Sequence, residues 1–203
     1  KNFKGYSFDA LRIDSEGPHA LIKNVDISPG VMPDCTLMIG IYLERIAESS
    51  GWVFSQEESD WDRGINVHDG RTSATSGIVR TQTIASGVGG GSPWEPWNNP
   101  QPPPVGEWFH VTATFKQGGD CWVYLNGVQS DNSITGANSV GKPDLWVGTT
   151  HWDPNSWGAH YVDGWIRNVK VFDTSLSPAE VFEHTTEFFN SIPSDVQTLP
   201  PSF

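Results

Sequence analysis

The stretch W-F-H-V-T-A-T-F-K-Q-G-G-D-C-W-V-Y-L-N-G-V, residues 108–128, decides the class of fold. Phe109, Val111, Ala113 and Phe115 alternate with Trp108, His110, Thr112, Thr114 and Lys116. Side chains on a strand repeat every two residues, so each set takes one face. Q-G-G-D reads as a turn, after which Cys121, Val123 and Leu125 resume the core parity. The stretch therefore predicts an antiparallel hairpin with one apolar face.

The same alternation runs outward from it. In T-L-M-I-G-I-Y-L-E, residues 36–44, Leu37, Ile39, Ile41 and Leu43 share the inward parity. Shorter strands are predicted over 6–13, 51–55, 63–69, 76–81, 145–149 and 165–172. A Gly/Pro-rich loop covers 87–104. With Gly at 21, Pro at 15 and only 18% charged residues in 203, the composition favours many short strands and turns. One domain is expected at this length. S-L-S-P-A-E-V-F-E-H signals one short helix, with Ser177 as N-cap, Pro178 as first residue and Glu180 closing a capping box. The helix is expected to end near Phe188. Residues 190–203 read as an extended arm or linker after a domain over 1–189.

Charge limits the partners. The chain carries 12 Lys and Arg against 24 Asp and Glu, a net charge of −12. Phosphate backbones require clustered basic residues, so nucleic acid is a poor partner. No apolar run is long enough for a membrane helix. Acidity instead suits Ca²⁺, which takes oxygen ligands. Cys35 and Cys121 both have inward parity. A disulfide between them would close a loop of about 86 residues and contribute roughly 4–5 kcal/mol, and would imply an extracellular setting. Two separate buried thiols are the alternative.

On the opposite parity, Tyr42, His110, Trp122 and Tyr124 stand over small residues. If the strands share a sheet, this face is either a platform for sugar rings or is covered by the Gly/Pro loop or the C-terminal arm.

The segments G-E-W-F-H-V-T-A-T-F, C-W-V-Y-L-N-G-V, L-W-V-G-T and D-G-W-I-R-N-V-K-V-F-D-T-S-L-S-P-A-E-V occur in an order that resembles laminin-G-like domains of the concanavalin A-like lectin/glucanase superfamily. The resemblance implies an all-β jelly-roll sandwich of two antiparallel sheets. It also implies glycan or protein binding, and Ca²⁺ at the rim held by Asp60 or Asp62 with Asn138. A second possible pair is Asp9 with Asp163. Glu58, Asp60 and Asp62 resemble the E-x-D-x-E strand of retaining glucanases, with Asp62 departing from the pattern; a glycoside hydrolase or lyase is the catalytic alternative. The six histidines lack zinc-site spacing.

The run T-H-W-D-P-N-S-W-G-A-H-Y-V-D-G-W, residues 150–165, is read as a loop entering the last strand. Trp152 and Trp157, with His151, Asp153 and Asn155, form a candidate aromatic binding rim, as do Trp94 and Trp97. The sequence thus reads as a non-catalytic, Ca²⁺-assisted extracellular module for a polysaccharide or glycan. A protein-interaction or adhesion domain is the other non-catalytic reading.

Overall fold

The computed structural model describes residues 3–6, 10–13, 20–22, 34–45, 51–55, 64–69, 82–87, 104–116, 120–130, 134–135, 144–148 and 163–193. Among these run thirteen strands and one helix. In chain order they are β1 (Phe3–Tyr6), β2 (Leu11–Ile13), β3 (Ala20–Ile22), β4 (Cys35–Arg45), β5 (Gly51–Ser55), β6 (Gly64–Asp69) and β7 (Gln82–Gly87). Then follow β8 (Trp108–Phe115), β9 (Asp120–Leu125), β10 (Val128–Gln129), β11 (Ile134–Thr135), β12 (Leu145–Val147), β13 (Asp163–Phe172) and α1 (Pro178–Asn190).

The strands form two antiparallel sheets, as a jelly-roll sandwich requires. One has the order β1-β13-β4-β8-β9-β10, with β2 on β13 and β11 on β9. The other has the order β3-β12-β5-β6-β7. The inward residues predicted by parity are the core: Leu37, Ile39, Ile41, Phe109, Val111, Ala113, Phe115 and Val123 are all fully buried. They meet Leu145 and Val147 of β12 and Ile65 of β6.

The 108–128 hairpin forms as expected, with Thr114 opposite Trp122 and Val111 opposite Leu125. It continues into a second, tighter one that parity alone does not announce. Leu125 pairs with Val128 across Asn126-Gly127. Their φ angles are 52° and 81°, the left-handed pair of a type I′ turn, for which Asn-Gly is the favoured sequence. The Asn126 side chain also accepts from the His110 N–H at 2.9 Å. A β-carbon at Gly127 would lie 3.1 Å from the Phe182 ring. Gly127→Ala is expected to cost about 1–2 kcal/mol, read as a lower urea midpoint with an unchanged m-value.

Some expectations shift. The first strand is two short ones, β1 and β2, and both pair with β13. The strand expected over 76–81 lies outside the described residues, and β7 occupies 82–87. The register places the backbones of the two cysteines, and the Cys121 side chain lies outside the described residues. Cys35 sits opposite Phe115. On the other side of β8, continuing the β8–β9 register one residue past Thr114↔Trp122 sets Cys121 beside the same Phe115. The two cysteine backbones are thus two strand spacings apart, roughly 9–10 Å.

The larger correction concerns the outer face of β4, β8 and β9. All eight residues of β8 are buried, on both faces. The described cover is α1, continued by Ile192 at the start of the 190–203 segment. Its cap forms as read: the Ser177 hydroxyl accepts from Glu180 N–H, and the Glu180 carboxylate accepts from Ser177 N–H at 2.9 Å. Val181, Thr185, Phe188 and Ile192 make one buried stripe at helical spacing. Gly40 of β4 leaves the room into which the Phe188 ring packs. Upstream, the Thr36 hydroxyl donates to the Thr174 carbonyl at 2.8 Å and accepts from Leu176 N–H at 2.9 Å. That clamp fixes where α1 begins. Ile192 is buried with Tyr42 and Trp108, so the packed domain extends past residue 189.

Candidate functional site

Docking α1 on the sheet buries most of the proposed aromatic platform. Tyr42 is 3% exposed and Tyr124 2%, so neither offers a ring face to a ligand. Tyr42 packs edge-on to Trp108, which meets Phe188 in the same way. Tyr124 packs with Met38, Phe172, Leu176 and Val181. Trp122 is different. It rests against that cluster but stays half-buried.

Trp122 lines a cleft of about 720 Å³, within the usual range of small-ligand sites. One wall is the outer face at the ends of β8 and β9, carrying Thr114, Lys116 and Trp122. The other is the segment from Ser175 into the first turn of α1. Asp34, Asp120 and Gln129 complete the polar lining. The indole is held from behind by packed side chains, so it is rigid before any ligand arrives. Lys116 can donate, the carboxylates can accept, and Gln129 can do both. This is equipment for orienting a polyhydroxylated ring.

His110 is not part of such chemistry. It is fully buried. Its Nδ1 is hydrogen-bonded to Thr185 Oγ1 at 2.9 Å, and its ring stacks on Phe188 at 4.9 Å. Burial, with the charges of Lys170 and His184, pushes its pKa down to about 3. It is a neutral tie between β8 and α1. His184 lies at the surface of α1, where its Nδ1 and Lys170 Nζ both approach Glu187 Oε2, at 2.9 and 3.1 Å. These contacts hold the Glu187 carboxyl below its ordinary value.

Asp163, proposed with Asp9 as a cation pair, is 6% exposed. Its Oδ1 already accepts from Arg12 at 3.3 Å. Arg12 also bonds Glu44 at 2.7 Å and lies over the Trp165 ring. A Ca²⁺ ion at Asp163 would share the carboxylate with that guanidinium. Among the described residues no group of three or more His, Cys, Asp or Glu is arranged to hold a metal. Asp9, Glu58, Asp60, Asp62 and Asn138 lie outside the described residues, as do Trp94, Trp97, His151, Trp152, Asp153, Asn155 and Trp157.

Of the predicted site, then, the structure brings Trp122 to a cleft, leaves Tyr124 as a nearly buried part of its lining, and buries Tyr42 elsewhere under α1. Asp34, Asp120 and Gln129 were missed. Parity did put Thr114, Lys116 and Trp122 on one face. The missing signal was the apolar stripe of α1, which needed a partner face and turned an open sheet into one wall of a cleft.

The fold has known counterparts. Domain 4 of AbnA, a GH43 extracellular arabinanase from Geobacillus stearothermophilus solved in complex with arabinotriose, is 18% identical, with a TM-score of 0.50 over 90% of this chain and 86% of that one. The receptor-binding domain of botulinum neurotoxin D is 13% identical, with a TM-score of 0.54 over 92% of this chain and 48% of that one. Trypanosoma rangeli sialidase is 12% identical, with a TM-score of 0.55 over 91% of this chain and 29% of that one. The chain thus spans under half the length of the toxin domain and the sialidase. At these identities the likeness is one of fold. No curated protein matches in sequence. The family model that matches, over residues 49–182, is a laminin-G one described as the concanavalin A-like lectin/glucanases superfamily. The chain belongs to that family, a laminin-G-type member of the concanavalin A-like lectin/glucanases superfamily.

Proposed function

We propose that the protein is a non-catalytic glycan-binding module acting outside the cell, and that Trp122 is the stacking surface of its binding cleft. The observation that carries this is a half-buried indole, braced from behind, in a polar cleft of about 720 Å³. Sugars present apolar ring faces to aromatics and hydroxyls to polar side chains, and this lining offers both. The family and the arabinotriose complex of the arabinanase domain support a saccharide over other small ligands. That arabinanase is itself extracellular. Ca²⁺ held by Asp60 or Asp62 with Asn138, or by Asp9 with Asp163, assists at the rim, and Trp152 and Trp157 on the 150–165 loop act as accessory contacts.

A glycan array probed with the purified protein in Ca²⁺ and again in EDTA tests it. Binding is expected, and Trp122→Ala should weaken it by roughly 30-fold, the scale of a buried aromatic hot spot. The variant should remain folded, since the ring is only half-buried. Loss of signal in EDTA would assign a second contribution to a rim metal. Array binding unaffected by Trp122→Ala would contradict the assignment of the cleft.

A further inference from the structure

We propose that α1 is an acid-releasable lid, latched by His110 over the Tyr42 and Trp108 end of the outer sheet face. Among the described residues no strand pairs with α1, so the helix can leave without breaking a sheet hydrogen bond. Its start is fixed by the Thr36 clamp on Thr174 and Leu176. Its far half is held by packing and by the bond between His110 Nδ1 and Thr185. That seat has no place for a charged imidazole. His110 is fully buried, and among the described residues its Nε2 meets no hydrogen-bond partner. Protonation would leave a buried cation with an N–H lacking an acceptor, which is costly.

The neighbours from each packed element add to that cost. β13 brings two cations: Arg167 lies in the same cross-strand row as Gly40 and His110, and Lys170 one row further, beside Met38 and Thr112. α1 brings His184 and Glu187, and the Glu187 carboxylate is taken up by His184 and Lys170. β4 and β9 bring Tyr42 and Tyr124, whose hydroxyls burial keeps neutral. β8 itself brings Trp108 and Thr112 on that face. Among these groups no carboxylate is left for a His110 cation. Once α1 lifts, His110 meets water and takes up the proton. A helix of 13 residues off its partner face is marginal in water, so release also melts it. Release bares Tyr42 and Trp108, the end of the aromatic face that docking hides.

Hydrogen exchange of the full native chain from pH 7.5 to 4.5, corrected for its intrinsic pH dependence, tests this. Protection of amides 182–188 in α1 is expected to fall about tenfold per pH unit below 6.5, because a proton binds only when the helix is off. It should also sit about tenfold or more below that of amides 37–41 in β4 at every pH, as a local opening requires. His110→Gln should flatten the α1 slope. A slope that persists in His110→Gln would overturn the latch. Equal protection of α1 and β4 at every pH would make them one cooperative unit and overturn the lid. Protection of α1 that is constant with pH would overturn the acid trigger. The last two outcomes need only the native chain, so they decide the matter even if His110→Gln fails to fold.

Discussion

Replacing Phe188 by alanine is expected to lower the unfolding free energy by about 3–5 kcal/mol, the cost of emptying a fully buried aromatic site. Phe188 is wholly buried. Its ring stacks on His110 and meets Trp108 and Phe189 edge-on. It also fills the space that Gly40 leaves open. The loss should appear as a lower denaturant midpoint, with the far-ultraviolet signature of the sheets retained. Gly40→Ala tests the same contact from the other side. Its methyl would run into the Phe188 ring, and overpacking of this kind costs about 1–3 kcal/mol. In the Phe188→Ala background the added methyl meets empty space instead, so the double variant should be more stable than the sum of the single losses predicts. Strict additivity would mean that α1 is not seated on Gly40.

The second large effect is on acid stability. His110 has a folded-state pKa of about 3 against an ordinary 6.5. Between those values the unfolded chain binds a proton that the folded chain refuses. Stability therefore falls as pH drops through this window, by about 1.4 kcal/mol per pH unit, on the order of 4–5 kcal/mol in all. Above pH 6.5 the term is flat. Glu187 acts in the same direction at lower pH, because its carboxyl is also held down. It is more than half exposed, so its share is small. Urea midpoints measured from pH 7.5 to 4 should slope steeply for the native chain and more gently for His110→Gln, which cannot take up that proton. Equal slopes for the two would show that His110 does not govern the acid limb.

The sheets were legible because their signal is local. Every inward residue of β4, β8 and β9 follows from a two-residue period, and Ser177, Pro178 and Glu180 announce the helix within four positions. What covers the outer face was not legible. The strand period leaves the face of Thr36, Met38, Gly40 and Tyr42 either open or covered by a loop or the arm, and α1, which begins at Pro178, packs on it. The pairing of Arg12 with Asp163 is equally non-local, joining residues 151 positions apart. The cysteines show the limit of parity from another side. Parity correctly sent Cys35 to the core, but only strand order shows that β8 runs between Cys35 and Cys121. The half of the expected site that did emerge, Trp122, needed both kinds of information. Its face came from the strand period, and its cleft from the helix.

The most direct test of the central claim is to watch the indole N–H resonance of Trp122 while chitotriose, its deacetylated form or arabinotriose is titrated into the labelled protein. The resonance is assigned by its disappearance in Trp122→Phe. At least one of the three sugars is expected to shift this signal saturably, with the buried Trp108 far less affected. A Trp122 signal that stays fixed while other indoles move would place the sugar elsewhere and rule out Trp122 as the stacking surface.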